Sequence, residues 1–399
     1  MKRVTVFTLV ALSLALGGCN WMKTLGRKDN VEPPTPLTEF VPSAQVDKLW
    51  SEGIGDGAGR SGARMAPVVG ADGRLYVAAV DGVIEAIDAG TGRTVWSRKL
   101  GDRKGWLWNR ADTLRWSGGP AVDGDLLVVG GLDGQIAALS TQDGSPRWTA
   151  QVNSEIISAP AIGGGVVVVR GNDGRLHGFD AATGTSKWLF DQSVPSLSLR
   201  GNSAPLILNG IVYDGTDSGR VTAVRLDDGN EQWTQLLATG EGRTEVERLS
   251  DVDGNLVSDG STLYAAGYRG QIAALAFDSG RPQWQRDLSS YAGVAVGGDS
   301  VVAVDADGNV WAFDRSTGAN LWKQDQLKYR WLSAPAIQGS LVVVGDSEGY
   351  VHWLTLAEGK FAARERLGKQ PIEAPPVVSG DTVFVEDIRG HFAAYRARQ

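Results

Sequence analysis

The chain of 399 residues contains one cysteine, Cys19, and three histidines, His177, His352 and His391. A single cysteine excludes any disulfide within the chain, even in an oxidising compartment where disulfides persist. The histidines are far apart and lack the close spacing of metal-binding pairs. We therefore expect no metal site and no cofactor, and the stability of the fold must come from its core.

Several other features are missing as well. The net charge is −7, and no basic cluster with interleaved aromatic residues exists, so nucleic acid is not an expected partner. No run after residue 19 approaches the roughly 20 apolar residues that a membrane span needs. No segment shows a helical period of useful length. The many serines include none in a G-x-S-x-G elbow with candidate partners.

The first 18 residues have the organisation of a signal peptide. MKR precedes the apolar run VTVFTLVALSLAL (4–16), which is too short to span a bilayer. Leu16-Gly17-Gly18-Cys19 resembles the lipobox of bacterial lipoproteins, in which alanine or serine is commoner than Gly17. The resemblance implies cleavage before Cys19 and its acylation, and two or more acyl chains anchor stably. Asn20 then implies sorting to the outer membrane. The alternative is a buried structural cysteine.

Residues 20–45 contain few large apolar residues and four prolines, Pro33, Pro34, Pro36 and Pro42. Such a composition is typical of a linker, which proline stiffens and extends. We therefore predict a signal peptide over 1–18, a lipidated cysteine and flexible tether over 19–45, and a folded domain over 46–399.

The folded domain repeats. In each of seven units a glycine is followed 14 residues later by tryptophan, or by alanine in the seventh unit. Ten residues before that position stands a small residue, whereas the seventh unit has Trp353 there, opposite Ala363. A fixed internal offset with variable spacing indicates a modular array. The pairs are Gly82 and Trp96, Gly134 and Trp148, Gly174 and Trp188, Gly219 and Trp233, Gly270 and Trp284, Gly308 and Trp322, and Gly349 and Ala363.

Each unit predicts four short strands. In the first unit, apolar runs at about 64–70, 74–80, 83–88 and 93–99 are separated by the turns ADG, DG and AGTG. Four-stranded units of about 40–45 residues are typical of a β-propeller. An eighth unit begins at Gly390 but ends before its fourth strand, while residues 46–51 carry Trp50 without a unit. We therefore predict an all-β, eight-bladed β-propeller of four-stranded antiparallel blades, closed by the N-terminal strand.

The repeated tryptophans are best explained as packing residues between blades, because large rings bury much area between sheets. The alternative is a stacking platform for a carbohydrate or a quinone.

In a four-stranded meander, the turns between second and third strands and the links between blades lie on one face, here called the link face. Three links are long: 100–116, 193–202 and 239–250. Insertions on one face of a repeat protein usually mark its binding face. Leu197 and Leu199 alternate beside Arg200, a frequent interface residue. With Asp251 and Asp253 they favour a protein-docking patch. The alternative is that the leucines pack under the ring and the aspartates cap turns.

Three long strings outside the repeat pattern, PSLSLRGNSAP (195–205), TEVERLSDVDG (244–254) and VVVGDSEGYVHW (342–353), resemble the BamB family of outer-membrane assembly lipoproteins. The likeness covers the mature chain, and the repeats also resemble those of pyrroloquinoline-quinone enzymes. The family resemblance implies a lipid-anchored propeller on the periplasmic side of the outer membrane. It implies binding to the periplasmic domains of BamA, and through BamA to the other Bam lipoproteins. The implied contact residues are Leu197, Leu199, Arg200, Asp251 and Asp253.

The resemblance leaves the role of the 100–116 insertion, with Trp106, Trp108 and Trp116, unassigned. It favours a non-catalytic scaffold that assists the folding and insertion of outer-membrane proteins. Unfolded precursors could also pair with an exposed outer blade edge by strand addition.

Two other functions compete with the scaffold. A quinone-dependent dehydrogenase would need a cation held by carboxylate and amide oxygens and a carboxylate base. No distinctive cluster of that kind lies outside the turns, where Asp81 and Asp133 act as turn formers. A periplasmic glycan-binding scaffold is the other alternative.

Overall fold

In the described part of the chain, short alternating apolar segments separated by glycine turns form 32 antiparallel β-strands. The computed structural model describes residues 32–59, 65–101, 115–192, 203–238, 244 and 249–398. These residues contain no α-helix, and hence no helix that could cross a membrane.

The strands form eight four-stranded sheets, the blades, each a simple meander from first to fourth strand. Blades one and two contain β2 (Val68–Val69), β3 (Arg74–Ala78), β4 (Val83–Asp88), β5 (Thr94–Lys99), β6 (Trp116–Asp123), β7 (Leu126–Gly131), β8 (Gln135–Ser140) and β9 (Pro146–Gln151). Blades three and four contain β10 (Ala161–Gly163), β11 (Val166–Arg170), β12 (Leu176–Asp180), β13 (Ser186–Phe190), β14 (Leu206–Leu208), β15 (Ile211–Gly215), β16 (Arg220–Arg225) and β17 (Glu231–Leu236). Blades five and six contain β18 (Val257–Ser258), β19 (Thr262–Ala266), β20 (Gln271–Ala276), β21 (Pro282–Asp287), β22 (Val294–Gly297), β23 (Ser300–Val304), β24 (Val310–Asp314) and β25 (Asn320–Gln324). Blades seven and eight contain β26 (Ala336–Gln338), β27 (Leu341–Gly345), β28 (Tyr350–Thr355), β29 (Phe361–Arg366), β30 (Val377–Ser379), β31 (Thr382–Glu386), β32 (His391–Arg398) and β1 (Gln45–Gly53).

The ring is closed by the N-terminal strand. β1 pairs antiparallel with β32, from Gln45 opposite Arg398 to Gly53 opposite His391. The first strand of blade one, β2, contacts the first strands of blades two and eight. The predicted eight-bladed propeller and its closure by the N-terminal strand are therefore confirmed.

The repeated tryptophans lie on the fourth strands, directly opposite the small residues that precede them by ten. The seventh blade has the same pair with its members exchanged, Trp353 opposite Ala363, and in blade eight Trp50 lies opposite Ala394. Each pair thus keeps one indole ring over one small residue. The other pairs are Trp96 with Ala86, Trp148 with Ala138, Trp188 with Gly178, Trp233 with Ala223, Trp284 with Ala274 and Trp322 with Ala312.

Seven of these indole rings join neighbouring blades. Each Nε1–H donates to the backbone oxygen of the residue that follows the third strand of the next blade, at 2.8 to 3.0 Å. The same ring covers a turn glycine of that blade. The donors and acceptors are Trp50 and Ala89, Trp96 and Thr141, Trp148 and Ala181, Trp188 and Leu226, Trp233 and Phe277, Trp284 and Arg315, and Trp322 and Leu356.

Blade seven joins blade eight differently, because its tryptophan lies on the third strand. Trp353 Nε1 donates to Gln338 Oε1 at 2.9 Å within the blade. Gln338 Nε2 in turn donates to the backbone oxygen of Asp381 in blade eight, at 2.7 Å. A glutamine side chain therefore relays the contact that an indole makes directly elsewhere.

Residues Thr35–Ala44, here called the N-terminal strap, lie along the outer edge of blade seven. Thr35 N and Oγ1 donate to the Lys328 oxygen at 3.1 and 2.8 Å. Ser43 and Ala44 both donate their N–H to the Ala362 oxygen. Between these ends, the Phe40 ring stacks on Phe361 with centroids 5.2 Å apart. The segment expected to be a flexible tether thus includes residues that are bound, and a free tether would end before Thr35.

Two arginines donate hydrogen bonds to backbone oxygens of the strap. Arg330 Nη1 donates to the Thr35 oxygen at 2.8 Å, and Arg364 Nη1 donates to the Thr38 oxygen at 3.0 Å. Arg330 is 2% exposed and forms an ion pair with the buried Asp346 at 2.8 Å.

His352 links these two arginines. Its Nε2 lies 2.9 Å from Asp346 Oδ2, and its Nδ1 accepts from Arg364 Nε. Burial lowers the pKa of His352, which fits a neutral ring that donates to Asp346 and accepts from Arg364.

The inter-blade contact predicts unequal effects of two glycine substitutions in blade one. Gly92 and Gly73 have φ of +74° and +75°, but a Cβ on Gly92 would lie 2.7 Å from the Trp50 ring, whereas a Cβ on Gly73 meets nothing within 4 Å. Gly73→Ala should cost only the left-handed strain, about 1–2 kcal/mol. Gly92→Ala should cost roughly 1–3 kcal/mol more, because the ring must move. Urea unfolding of both variants measures the difference, and equal losses would contradict the proposed packing.

Candidate interaction surface

The links between blades and the turns between second and third strands share one face, as expected. The structure describes the links 152–160, 288–293, 325–335 and 367–376 completely. Leu197, Leu199 and Arg200 lie outside the described residues, as do Cys19, Trp106 and Trp108. Trp116, at the end of the 100–116 insertion, is 2% exposed in the core between blades one and two, so it is a packing residue.

Asp251 and Asp253 lie in the link between blades four and five, on either side of Val252. Val252 points into the core of these blades, and its N–H donates to the Thr216 oxygen at 3.1 Å. The Tyr268 N–H donates to the Asp251 oxygen at 2.8 Å. The backbone of this link is therefore fixed to turns of both blades, and the two carboxyl groups alternate away from the core.

Both aspartates are buried: Asp251 is 1% exposed and Asp253 is 7% exposed. They belong to a cluster of four aspartates around one buried arginine, Arg170, at the end of β11. Arg170 Nη2 donates to Asp217 Oδ1 at 2.6 Å, and its Nε lies 3.4 Å from Asp214 Oδ2. Blade three, blade four and the link between blades four and five thus contribute one member or more each.

Four carboxyl groups of this cluster surround one guanidinium, so acidic groups predominate in it. Burial raises the pKa of Asp214 to about 6, although Arg170 and Gln192 favour its ionised form. Burial, together with the neighbouring Asp253 charge, raises the pKa of Asp251. Because ionised carboxylates are costly to bury, some of these groups bind protons near neutral pH.

The same link reaches the chain that follows the 193–202 link. Ala204 N donates to Asn255 Oδ1 at 3.0 Å, and a Cβ on Gly215 would lie close to both Val252 and Ser203. Residues 203–204 and 249–256 therefore form one packed unit, directly after the two long links in the sequence. Both aspartates are buried in this structure, and their expected charge contact with a partner stays a prediction.

The central channel opens on the link face. Its mouth has a volume of about 200 Å³ and is lined mostly by apolar residues, including three prolines, with Ser158, Asp253 and Asn255 as polar members. In the described part of the chain, no group of three or more histidine, cysteine, aspartate or glutamate side chains could hold a metal ion.

One surface feature escaped the sequence analysis. Trp331, in the link between blades six and seven, is 56% exposed, while its neighbours Arg330 and Leu332 are buried. Trp331 does not follow a turn glycine by 14 residues, as the packing tryptophans do. This difference could have indicated from the sequence that Trp331 is not a packing residue.

Comparison with known proteins identifies the family. The family model described as outer membrane protein assembly factor BamB matches residues 80–324. The outer membrane protein assembly factor BamB of Xanthomonas campestris is 46% identical, over 100% of this chain and 98% of its own length. This chain belongs to the BamB family. The family protein of Pseudomonas aeruginosa is 41% identical over 98% of both chains, and that of Escherichia coli is 37% identical over 97% of both.

Solved structures agree with the fold. The crystal structure of BamB from Moraxella catarrhalis superposes with a TM-score of 0.78 and 27% identity, covering 88% of this chain and all of that chain. Quinohemoprotein alcohol dehydrogenase from Comamonas testosteroni gives a TM-score of 0.68 at 15% identity, covering 88% and 76% of the two chains. The second likeness is one of fold alone. The expected family is therefore confirmed, and the enzyme shares the architecture.

The raised pKa of Asp251 predicts a pH-dependent stability difference. When a carboxyl group is neutral in the folded chain but ionised in the unfolded chain, the free energy of unfolding decreases as the pH rises above about 4. An asparagine side chain cannot ionise, so the Asp251→Asn variant should gain on the wild type from pH 5 to pH 8. The gain has an upper bound of about 1.4 kcal/mol per pH unit. Thermal unfolding of both proteins tests this, and a difference that stays constant over the range would refute it.

Proposed function

We propose that this chain is a non-catalytic scaffold of outer-membrane β-barrel assembly that binds BamA through its link face. The observation that carries the proposal is the match to named assembly factors over essentially the whole chain at up to 46% identity. The relatives' names describe an assembly factor and not an enzyme. The likeness to a quinone enzyme extends to the fold, which many unrelated functions share.

In this proposal Leu197, Leu199 and Arg200 contact BamA. Asp251 and Asp253 belong to the buried cluster that stabilises this binding surface. The support is positional. The residues that follow the 193–202 link are hydrogen-bonded to the link that carries both aspartates. A buried cluster that fixes two neighbouring links can align an apolar and a cationic group for one partner without touching it.

The membrane attachment in this proposal is an acylated Cys19, which places the propeller at the periplasmic side of the outer membrane. Thr35 is held at the link face by Lys328 and Arg330. The other Bam lipoproteins are reached through BamA.

Unfolded precursors are a further proposed partner, received by strand addition at an outer blade edge. The strap shows how an extended segment lies on such an edge, because Ser43 and Ala44 donate to Ala362 in β29. It also occupies that edge. Fourth strands with exposed leucines, Leu189 in β13 and Leu321 in β25, are the better candidates for a precursor.

Loss of the proposed contact residues should abolish BamA binding. We expect the full-length triple variant Leu197→Ala/Leu199→Ala/Arg200→Ala, purified in detergent, to lose at least about tenfold in affinity for the periplasmic domains of BamA. Pull-down and calorimetric titration measure this loss, and circular dichroism checks that the propeller is folded.

The matched control removes exposed leucines away from the link face. Leu189→Ala/Leu321→Ala should bind like the wild type, because both side chains lie on fourth strands. Equal binding of the triple variant and the wild type would overturn the assignment of these three residues. Failure of the wild type to bind at all would overturn the proposed function.

A further inference from the structure

A cleft of about 370 Å³ lies on the link face between blades six, seven and eight. Three links and one turn contribute to it, so its walls come from separate segments of the chain. Most of its lining is apolar, with one aromatic wall and one carboxylate. Its walls include Tyr291, Trp331, Leu332, Ser347, Pro371 and Glu373.

Trp331 has a backbone conformation that residues other than glycine rarely adopt. Its φ is +51°, and that of Tyr329 is +60°. Each such residue costs about 1–3 kcal/mol and persists only where its surroundings determine it. Here the Tyr329 N–H donates to the Asp307 oxygen at 2.7 Å, and the Ser347 N–H donates to the Arg330 oxygen at 3.0 Å. The chain thus stabilises a strained link that displays one indole ring.

Four other aromatic rings near this cleft each have a cation over the ring face. Arg366 lies 4.6 Å from the Tyr350 centroid, and Arg364 lies 5.1 Å from that of Phe361. Lys323 and Lys328 lie 4.7 Å from the Trp311 and Tyr329 centroids. The Trp331 ring instead contacts Tyr291, with centroids 6.5 Å apart, and no cation of the described chain lies over it.

The carboxylate of the cleft is also available. Glu373 is exposed, and within the described residues it takes part in no ion pair and no side-chain hydrogen bond. A guanidinium is planar, stacks on aromatic faces and pairs with carboxylates. Leu332 and Pro371 offer an apolar surface for the methylene groups of an arginine side chain.

We propose that this cleft binds an arginine side chain presented by a protein partner, with Trp331 supplying the ring face and Glu373 the counter-charge. The occupant is chosen by charge complementarity: in the described structure, a strained, exposed indole without a cation stands beside a carboxylate without an ion pair. This inference uses none of the residues of the proposed BamA contact and does not depend on that contact.

The test uses the full-length chain labelled with 5-fluorotryptophan, with the Trp331 fluorine resonance assigned by Trp331→Phe. N-acetyl-arginine-N-methylamide is titrated against N-acetyl-citrulline-N-methylamide, which has the same shape without the charge. We expect a saturable shift of the Trp331 resonance by the arginine probe, and affinity roughly two- to fivefold weaker for the citrulline probe. Glu373→Gln should weaken arginine binding and narrow the difference between the two probes, leaving the smaller preference that the Trp331 ring supplies.

Glu358→Gln is the matched control, because Glu358 is an exposed glutamate in the turn between β28 and β29, on the opposite face. It should leave the titration unchanged. Absence of a shift, equal affinity for both probes, or tighter binding of N-acetyl-leucine-N-methylamide would each overturn the proposal. The last result would assign the cleft to an apolar side chain. None of these outcomes depends on whether BamA binds.

Discussion

Each blade but the seventh is joined to the next by a tryptophan whose indole N–H reaches a backbone oxygen of the neighbouring blade and whose ring covers a turn glycine there. The rest of the structure depends on this contact. Without a disulfide, a ring of separate sheets holds together only through its inter-blade interfaces. A hydrogen bond contributes about 1 kcal/mol and the buried ring considerably more. Because the contact is repeated at seven of the eight interfaces between blades, its modest contribution to stability is added seven times.

The same constraint explains why the ring closes with the N-terminal strand. Trp50 is the donor from blade eight to blade one, so β1 supplies both the last strand and the last indole contact. Blade seven is the exception, since Gln338 replaces the direct indole contact. The strap adds a second connection at that blade, through the two arginines that bind its backbone oxygens. The N-terminal segment therefore secures the ring on both of its last blades.

The repeat was predictable from the sequence because the ten-residue offset is itself the register of a hairpin. A tryptophan and a small residue at that spacing must face each other, and even the exchange of Trp353 and Ala363 followed from this rule. The strap was not predictable, since its proline-containing composition is that of a linker and its partners lie about 300 residues away.

The burial of Asp251 and Asp253 could not be read from the sequence either. An Asp-Val-Asp segment is equally compatible with an exposed strand edge or with a buried charge cluster. Arg170, whose charge acts on both carboxyl groups, comes from blade three. Trp331 likewise differs from the other tryptophans only in lacking the repeat offset, and its exposure depends on a strained link. The two features of the link face therefore differ in exposure. The aspartate cluster is buried, whereas a strained backbone keeps the Trp331 ring exposed.

Hydrogen exchange of the indole N–H groups, followed by NMR on a tryptophan-labelled full-length chain, tests this account most directly. The seven indoles that join blades should exchange slowly, with protection close to that of the central strands. Trp331, which is exposed and outside these contacts, should exchange quickly. If the seven exchange as fast as Trp331 while the strand amides remain protected, the tryptophans do not hold the ring together, and the central claim is wrong.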